Sequence, residues 1–170
     1  MQAYHGLPFH FVTIVGGRVG VDLPGLSGTP NGTRIGGGLF HDRVDLRDLD
    51  AGAVELWAVI GAAGVLAEQV RRRIAWPGEP EYRRLQWEKN NRHVWDADKV
   101  PVAEHAALAG VTTAAVIERA LDELNTLWPA VDAVAGLLLE HGTLGYDGVV
   151  TVIQKAADMG LIEWNGAAGA

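Results

Sequence analysis

The chain has 170 residues, a formal net charge of −7 and a pI of about 5.3. This length suits one domain with a hydrophobic core, and 48% hydrophobic with 21% charged residues is typical of a folded globular protein. The acidic balance argues against a general affinity for nucleic acid or for an anionic membrane surface, because both are bound by clustered Lys and Arg.

The opening stretch, MQAYHGLPFHFVTIV, has the pattern of a helix end followed by a strand. Gly6 is a common helix terminator, and Pro8 biases the residue before it toward extended backbone. Residues 8–15 then supply the aromatic and β-branched side chains of a buried strand. Because a helix of five residues is not stable alone, we expect this turn either to pack on another element or to be the end of a longer helix.

Residues 16–50 are rich in glycine and turn signals, and VGVDL and GGLF within them are candidates for short strands. A helix is predicted from about Ala51 to Ile74, with Asp48 or Asp50 as its N-cap. We expect this helix to be central, with glycine and alanine positions that allow close approach by a neighbour's backbone. Its predicted apolar stripe consists of Val54, Trp57, Ile60, Ala63, Gly64 and Ala67, of which Trp57, Ile60 and Ala63 are expected to be buried.

The stretch Ala51–Val70 is the longest apolar segment, but it carries Glu55 and Glu68. A membrane span needs about 20 mostly uncharged residues, so we interpret this segment as a core helix and expect no membrane segment. No signal peptide is visible at the N-terminus. The chain contains no cysteine, which excludes disulfides and thiolate metal sites and suits a cytoplasmic location.

Residues 75–97 form a polar connector, after which helices are predicted at roughly 100–109, 112–127, 129–141 and 146–159. Pro129 fits the first turn of a helix and Gly142 a helix end. The predicted fold is therefore α+β in a single domain spanning 1–170. A small irregular β-region, residues 1–50, packs on a mainly helical body, residues 51–170.

The common motifs of catalytic and nucleotide-binding sites are absent from the sequence. GGRVG at 16–20 lacks the spacing of a dinucleotide fingerprint and reads as a turn, and no phosphate-binding loop is present, so no ATP site is expected. His41-Asp42 resembles a dipeptide of some metal phosphohydrolases, but a single such pair is common by chance. No two of the six histidines lie four residues apart, so the helical histidine pair of a zinc site is absent from the 170 residues. No G-x-S-x-G motif for a serine nucleophile is found.

The C-terminal stretch 137–164 has a helix, turn, helix pattern that could also belong to a winged-helix DNA-binding protein. Residues 111–170, however, hold two basic residues, Arg119 and Lys155, against eight acidic ones. DNA binding needs several phosphate contacts from Lys and Arg, so this reading is disfavoured and no nucleic-acid partner is expected.

Four segments in order resemble the peptidase domain of FtsH-type ATP-dependent zinc metalloproteases. AYHGLPFHFVTIV, residues 3–15, is similar to the stretch that follows the zinc-binding helix in that family. AVIGAAGVLAEQ, residues 58–69, is similar to a later helix with small residues followed by Ala-Glu. WDADKVPVAEHAALAG, residues 95–110, resembles the helix that supplies a third zinc ligand, and LWPAVDAVAGLLLEHGTLGYDGV, residues 127–149, resembles the closing helices.

The resemblance implies a zinc metallopeptidase-like protein that acts on a protein or peptide. It maps the third zinc ligand onto Asp98, with Asp96 as the alternate and Glu68 as a candidate carboxylate behind the ligands. For Asp98, a helix N-cap is an equal alternative. The H-E-x-x-H motif is absent from the 170 residues, as is a nucleotide-binding ATPase module.

We therefore expect no proteolytic activity from the sequence as written, and zinc binding only if the missing helix is present. Met1 is then either an internal residue of a longer helix or the start of a pseudo-peptidase that serves as a non-enzymatic protein-interaction module. Enzymatic activity and oligomeric state are left open.

Overall fold

The computed structural model describes residues 1–25, 29–36, 38–41, 44–71 and 96–164. Within them, four α-helices and a small antiparallel sheet confirm the predicted α+β class, and residues 75–95 of the predicted connector lie outside this part of the chain. The elements are β1 Phe11–Thr13, β2 Gly17–Arg18, β3 Arg34–Ile35, β4 Gly38–Phe40, α1 Ala51–Arg71, α2 Asp96–Leu108, α3 Thr113–His141, β5 Thr143–Gly145 and α4 Tyr146–Asp158.

The chain divides into two compact units. The first, here called the sheet unit, comprises Met1–Val44 and Leu127–Ala170. The second, here called the helical unit, comprises Asp45–Thr126. The sheet unit is therefore built from two distant stretches of sequence, whereas the helical unit is a single continuous stretch.

Strand β1 is the centre of a three-stranded antiparallel sheet with the order β4-β1-β5. Val12 lies opposite Leu39 on one side and opposite Leu144 on the other. The strand predicted at 8–15 is thus confirmed but is only three residues long, and GGLF supplies β4. The segment VGVDL, residues 19–23, does not form a strand. Val19 and Leu23 form an isolated β-bridge with each other. Strand β5 was not predicted.

The hydrophobic core of the sheet unit brings the two ends of the chain together. Helix α4 turns one face inward, because its apolar residues recur at helical spacing. The phenyl ring of Phe9 meets Tyr146 edge-on, with ring centroids 5.3 Å apart. The buried cluster consists of Ala3, Phe9, Leu127, Ala130, Val149, Ile153, Ala156 and Ile162.

Asp50 caps the start of α1, as one of the two predicted alternatives states. Its Oδ1 accepts a hydrogen bond of 2.8 Å from the backbone N–H of Ala53, which satisfies one of the free donors at the start of α1. The predicted burial of Ala63 is confirmed, but Trp57 and Ile60 are only partly buried. The buried residues of α1 are instead Val54, Ala58, Val59, Ala62, Ala63 and Leu66.

Helices α1 and α2 pack against each other within the helical unit. A Cβ atom placed on Gly61 would lie 3.2 Å from Cγ2 of Val102, which is closer than most Cβ contacts. The close neighbour at Gly61 is therefore a side chain of α2, and the expected approach of a neighbouring backbone stays a prediction. At Gly64 a Cβ atom would meet nothing within 4 Å.

The prediction that Pro129 lies in the first turn of a helix is wrong. Pro129 lies inside the continuous helix α3. Proline has no N–H to donate to the carbonyl one turn earlier, so this position lacks one helical hydrogen bond. Leu127 and Ala130, on either side of it, are both buried in the core of the sheet unit. Their packing explains why the helix continues through the proline.

Among the described residues, no single helix is long and apolar enough to cross a membrane. Only the pair Val100–Leu108 and Thr113–His141, taken together across a bend of 106°, reaches the required length and composition.

Two glycines of the α3 region should respond oppositely to substitution by alanine. Gly142 ends α3 with a φ of 75°, a conformation that costs a residue with a Cβ about 1–2 kcal/mol. Gly136 lies exposed within α3, and a Cβ there meets nothing within 4 Å, so alanine should stabilise the helix by about 0.5–1 kcal/mol. Urea unfolding of Gly142→Ala and Gly136→Ala measures both free energies. Equal effects would contradict this account of the helix end.

Candidate functional site

The first seven residues have the backbone geometry of a last helical turn. The N–H of Leu7 donates to the carbonyl of Gln2 and the N–H of Gly6 to that of Ala3, both at 3.1 Å. Gly6 has a φ of 73°. This pair of bonds around a left-handed glycine is the Schellman motif, which closes the C-terminal end of a helix.

Two of the four α-helices end with the same pair of bonds. After α2, Val111 donates to Ala106 at 2.9 Å and Gly110 to Ala107 at 3.1 Å. After α4, the N–H groups of Leu161 and Gly160 make the same two bonds at 2.9 and 2.8 Å. The helix-end pattern predicted for MQAYHG is therefore present in the structure.

The opening turn is held from both sides. The side-chain amide of Gln2 is buried and donates to the carbonyl of Pro8 at 2.9 Å, which ties the turn to the segment leading into β1. The Tyr4 hydroxyl donates to the carbonyl of Glu163, and the indole N–H of Trp164 donates to the carbonyl of Tyr4, both at 3.0 Å. The expectation that this turn packs on another element is confirmed.

A buried hydroxyl fixes the far end of β1. Thr13 Oγ1 accepts hydrogen bonds from the Thr143 hydroxyl at 2.7 Å and from the Val15 N–H at 3.1 Å. It has one hydrogen to donate, and the nearest carbonyl is that of Gly142, at 3.0 Å. The end of β1 is thereby bound to the residue that terminates α3 and to the first residue of β5.

The carboxylates implied by the resemblance lie in the helical unit. Asp96 and Asp98 are the first and third residues of α2, and Glu68 lies near the end of α1, which packs against α2. Asp98 is not the N-cap that was its alternative role, because the helix begins two residues earlier. An acidic residue in a first turn still interacts favourably with the helix dipole.

The described residues do not by themselves form a catalytic zinc site. Within the described part of the chain, no three His, Asp or Glu side chains lie close enough to hold a metal ion. A catalytic zinc takes three protein ligands and one water, so a carboxylate on α2 alone does not fit it. Of the dipeptide His41-Asp42, the aspartate lies outside the described residues.

A cleft in the sheet unit was not predicted. It has a volume of about 340 Å³ and is lined by Gly16, Gly17, Arg18, Asp22 and Arg34. Arg18 binds Asp22 through Nε at 3.1 Å and through its backbone N–H at 3.0 Å, both to Oδ2. These hydrogen bonds, together with the charges of Arg18 and Arg34, lower the pKa of the Asp22 carboxyl. The signal in the sequence is the spacing of four residues between Arg18 and Asp22, but the GGRVG pattern alone predicts only a turn.

No protein-family model, curated protein or solved structure matches the chain.

Replacing Thr13 by valine should destabilise the protein by about 1–3 kcal/mol, because the shape is kept while three polar partners lose their hydrogen bond. The matched control is Thr151→Val, since the exposed Thr151 hydroxyl makes a single hydrogen bond within the described residues, to the carbonyl of Asp147. The control should change the unfolding free energy by less than about 0.5 kcal/mol. Urea unfolding distinguishes the two variants, and a Thr13→Val protein as stable as the control would show that the hydroxyl does not hold the sheet.

Proposed function

We propose that these 170 residues form a metallopeptidase-like domain of the FtsH type that does not hydrolyse peptides by itself. The observation that carries this proposal is the turn Met1–Leu7. It has a helix cap and leads into β1, the central strand of the sheet. That succession of helix end and strand is the one the resemblance implies after a zinc-binding helix.

The helical unit supports the same proposal. Helix α1 carries small residues before Ala67 and Glu68, and it packs on the helix that begins with Asp96 and Asp98. The order of these segments along the chain agrees with the resemblance. In this proposal Asp98 is the zinc ligand and Asp96 is the alternate ligand. Glu68 is a candidate carboxylate next to the ligands that does not bind zinc itself.

Catalysis is left out of the proposal because the residues for it are not in the sequence. The glutamate of an H-E-x-x-H motif takes a proton from the zinc-bound water, and its two histidines hold the metal. Neither the motif nor an ATPase module occurs in the 170 residues. The proposed partner is a protein or peptide, and the proposed location is the cytoplasm, which the absence of cysteine supports.

The test is to fuse a helix carrying H-E-x-x-H in register before Met1 and to measure zinc per chain. Two histidines four residues apart on one helix face the same side, so the fusion should bind one zinc ion with a contribution from Asp98. Asp98→Ala in the fusion should weaken zinc retention by about tenfold or more, whereas Asp96→Ala should do much less.

The matched control is the same fusion with alanine at both histidine positions, which should bind no zinc. If Asp96→Ala removes the metal and Asp98→Ala does not, the third ligand is Asp96. If neither substitution changes zinc retention, the proposed assignment on α2 is wrong. A fusion that takes up no zinc at all would contradict the FtsH-type proposal.

A second candidate function is a non-enzymatic protein-interaction module. It is favoured by large apolar side chains that are exposed in the sheet unit. Ile14 and Val15, directly after β1, are 50% and 46% exposed, and Leu139 is 75% exposed. A contiguous exposed apolar patch marks a protein-binding surface, and for this candidate we propose that Leu139 belongs to the same patch as Ile14 and Val15.

For this second candidate, we expect the chain to self-associate at high concentration, and Leu139→Ser should reduce that association. Leu108→Ser, which changes an exposed leucine of the helical unit, is the matched control and should leave it unchanged. Sedimentation velocity over a concentration series measures the effect. A chain that stays monomeric throughout would remove the support for this candidate.

A further inference from the structure

The charges of the described residues that line the cleft beside β2 do not cancel. Arg18 and Arg34 lie directly opposite each other in the β2–β3 ladder. Like charges in that position destabilise a pair of strands. Among the described residues that line the cleft, Asp22 is the one carboxylate, so these residues carry a net charge of +1 in a chain whose net charge is −7.

Both arginines have hydrogen-bond donors to spare. Arg18 uses Nε and its backbone N–H on Asp22, and no other hydrogen bond of its guanidinium is found within the described residues. Arg34 makes no hydrogen bond or ion pair within the same part of the chain; it acts on Asp22 only through its charge. A guanidinium group has five N–H donors in a planar fork, which suits an oxyanion.

The exposed Gly16 leaves part of the cleft's backbone uncovered, whereas Gly17 is buried. Gly16 and Gly17 line it without side chains. At Gly17 a Cβ atom would lie 2.9 Å from Cγ of Leu23, so a larger residue would disturb the loop. A small ligand can therefore approach the main chain at Gly16 as well as the two arginines.

We propose that this cleft binds the phosphate group of a small phosphate monoester. Two guanidinium groups complement a doubly charged oxyanion better than a singly charged carboxylate. The volume of about 340 Å³ leaves room for the organic part that carries the phosphate, and it lies within the range of small-molecule sites. This inference does not rest on the proposed peptidase-like function, because all of its residues lie in the β2–β3 region.

The proposal predicts that a substitution at Arg34 changes phosphate binding without lowering the stability of the fold. Replacing Arg34 by glutamine removes one of two facing like charges, so Arg34→Gln should fold at least as stably as the wild type while binding phosphate less well. A residue with a purely structural role would lose stability instead. The Arg18–Asp22 ion pair is untouched by this substitution.

The experiment is a titration of the whole chain with inorganic phosphate, followed by the amide NMR signals of Gly16 and Gly17. Ionic strength is held constant with sodium chloride, so that general screening does not change. We expect a saturable shift with a dissociation constant on the order of 1 mM. Arg34→Gln and Arg18→Gln should each weaken binding by about tenfold.

Arg47→Gln is the matched control, because Arg47 is an exposed arginine of the helical unit that also lies near an aspartate, Asp45. It should bind phosphate as the wild type does. If Arg34→Gln unfolds, Arg34→Lys keeps the charge and should retain part of the binding. No saturable shift up to about 50 mM phosphate, an equal loss in Arg47→Gln, or an equal response to acetate would overturn the proposal.

Discussion

The hydroxyl group of Thr13 is the point on which the sheet unit depends. The ladders of β1 are only three residues long on each side, so few backbone hydrogen bonds hold each neighbour. Short strands of this kind need further contacts to be stable. Thr13 supplies them by bonding to Val15, Gly142 and Thr143 at once, with its side chain shielded from water.

Gly142 makes this arrangement possible. Its left-handed backbone ends α3, and its N–H donates to the carbonyl of Leu138 at 2.8 Å. The same turn directs the Gly142 carbonyl toward β1, where it accepts from the Ile14 N–H at 3.0 Å as well as from Thr13. One glycine thus ends a helix and supplies an acceptor to the sheet, so α3 and β1 have a fixed connection.

The sequence pattern predicts the helices well, because apolar spacing and caps are local signals. Asp50 and the periodicity after it are sufficient for α1, and Gly142 correctly indicates where α3 ends. The exact buried face was not predictable, because apolar residues occur all round α1 and only the packing of its neighbours decides that Val59 and Leu66 are buried more fully than Trp57 and Ile60. The helix through Pro129 depends on burial on both sides of the proline, which no local rule reveals.

Non-local pairings account for most of what was missed. Strand β5 has three residues between two helices, and its partner Thr13 is 130 residues away from Thr143. The opposition of Arg18 and Arg34 depends on the register of a two-residue ladder, which the intervening loop determines. By contrast, the helix end at MQAYHG was predictable, because a Schellman motif is encoded by neighbouring residues and one glycine. Asp96 and Asp98 were singled out by the resemblance alone.

The discontinuous sheet unit also has a consequence for the order of folding during synthesis. The helical unit is one continuous stretch and can form as soon as Thr126 has left the ribosome. Strand β1 is made early but has no β5 partner until Thr143 follows, and the opening turn has no cover until Trp164 follows. Contacts of such long sequence separation form slowly, because a large loop must close before they contribute. The nascent chain therefore carries the apolar residues of β1 uncovered by β5 until it has grown by 130 residues beyond Thr13, and this stage is the one at which chaperone binding would matter.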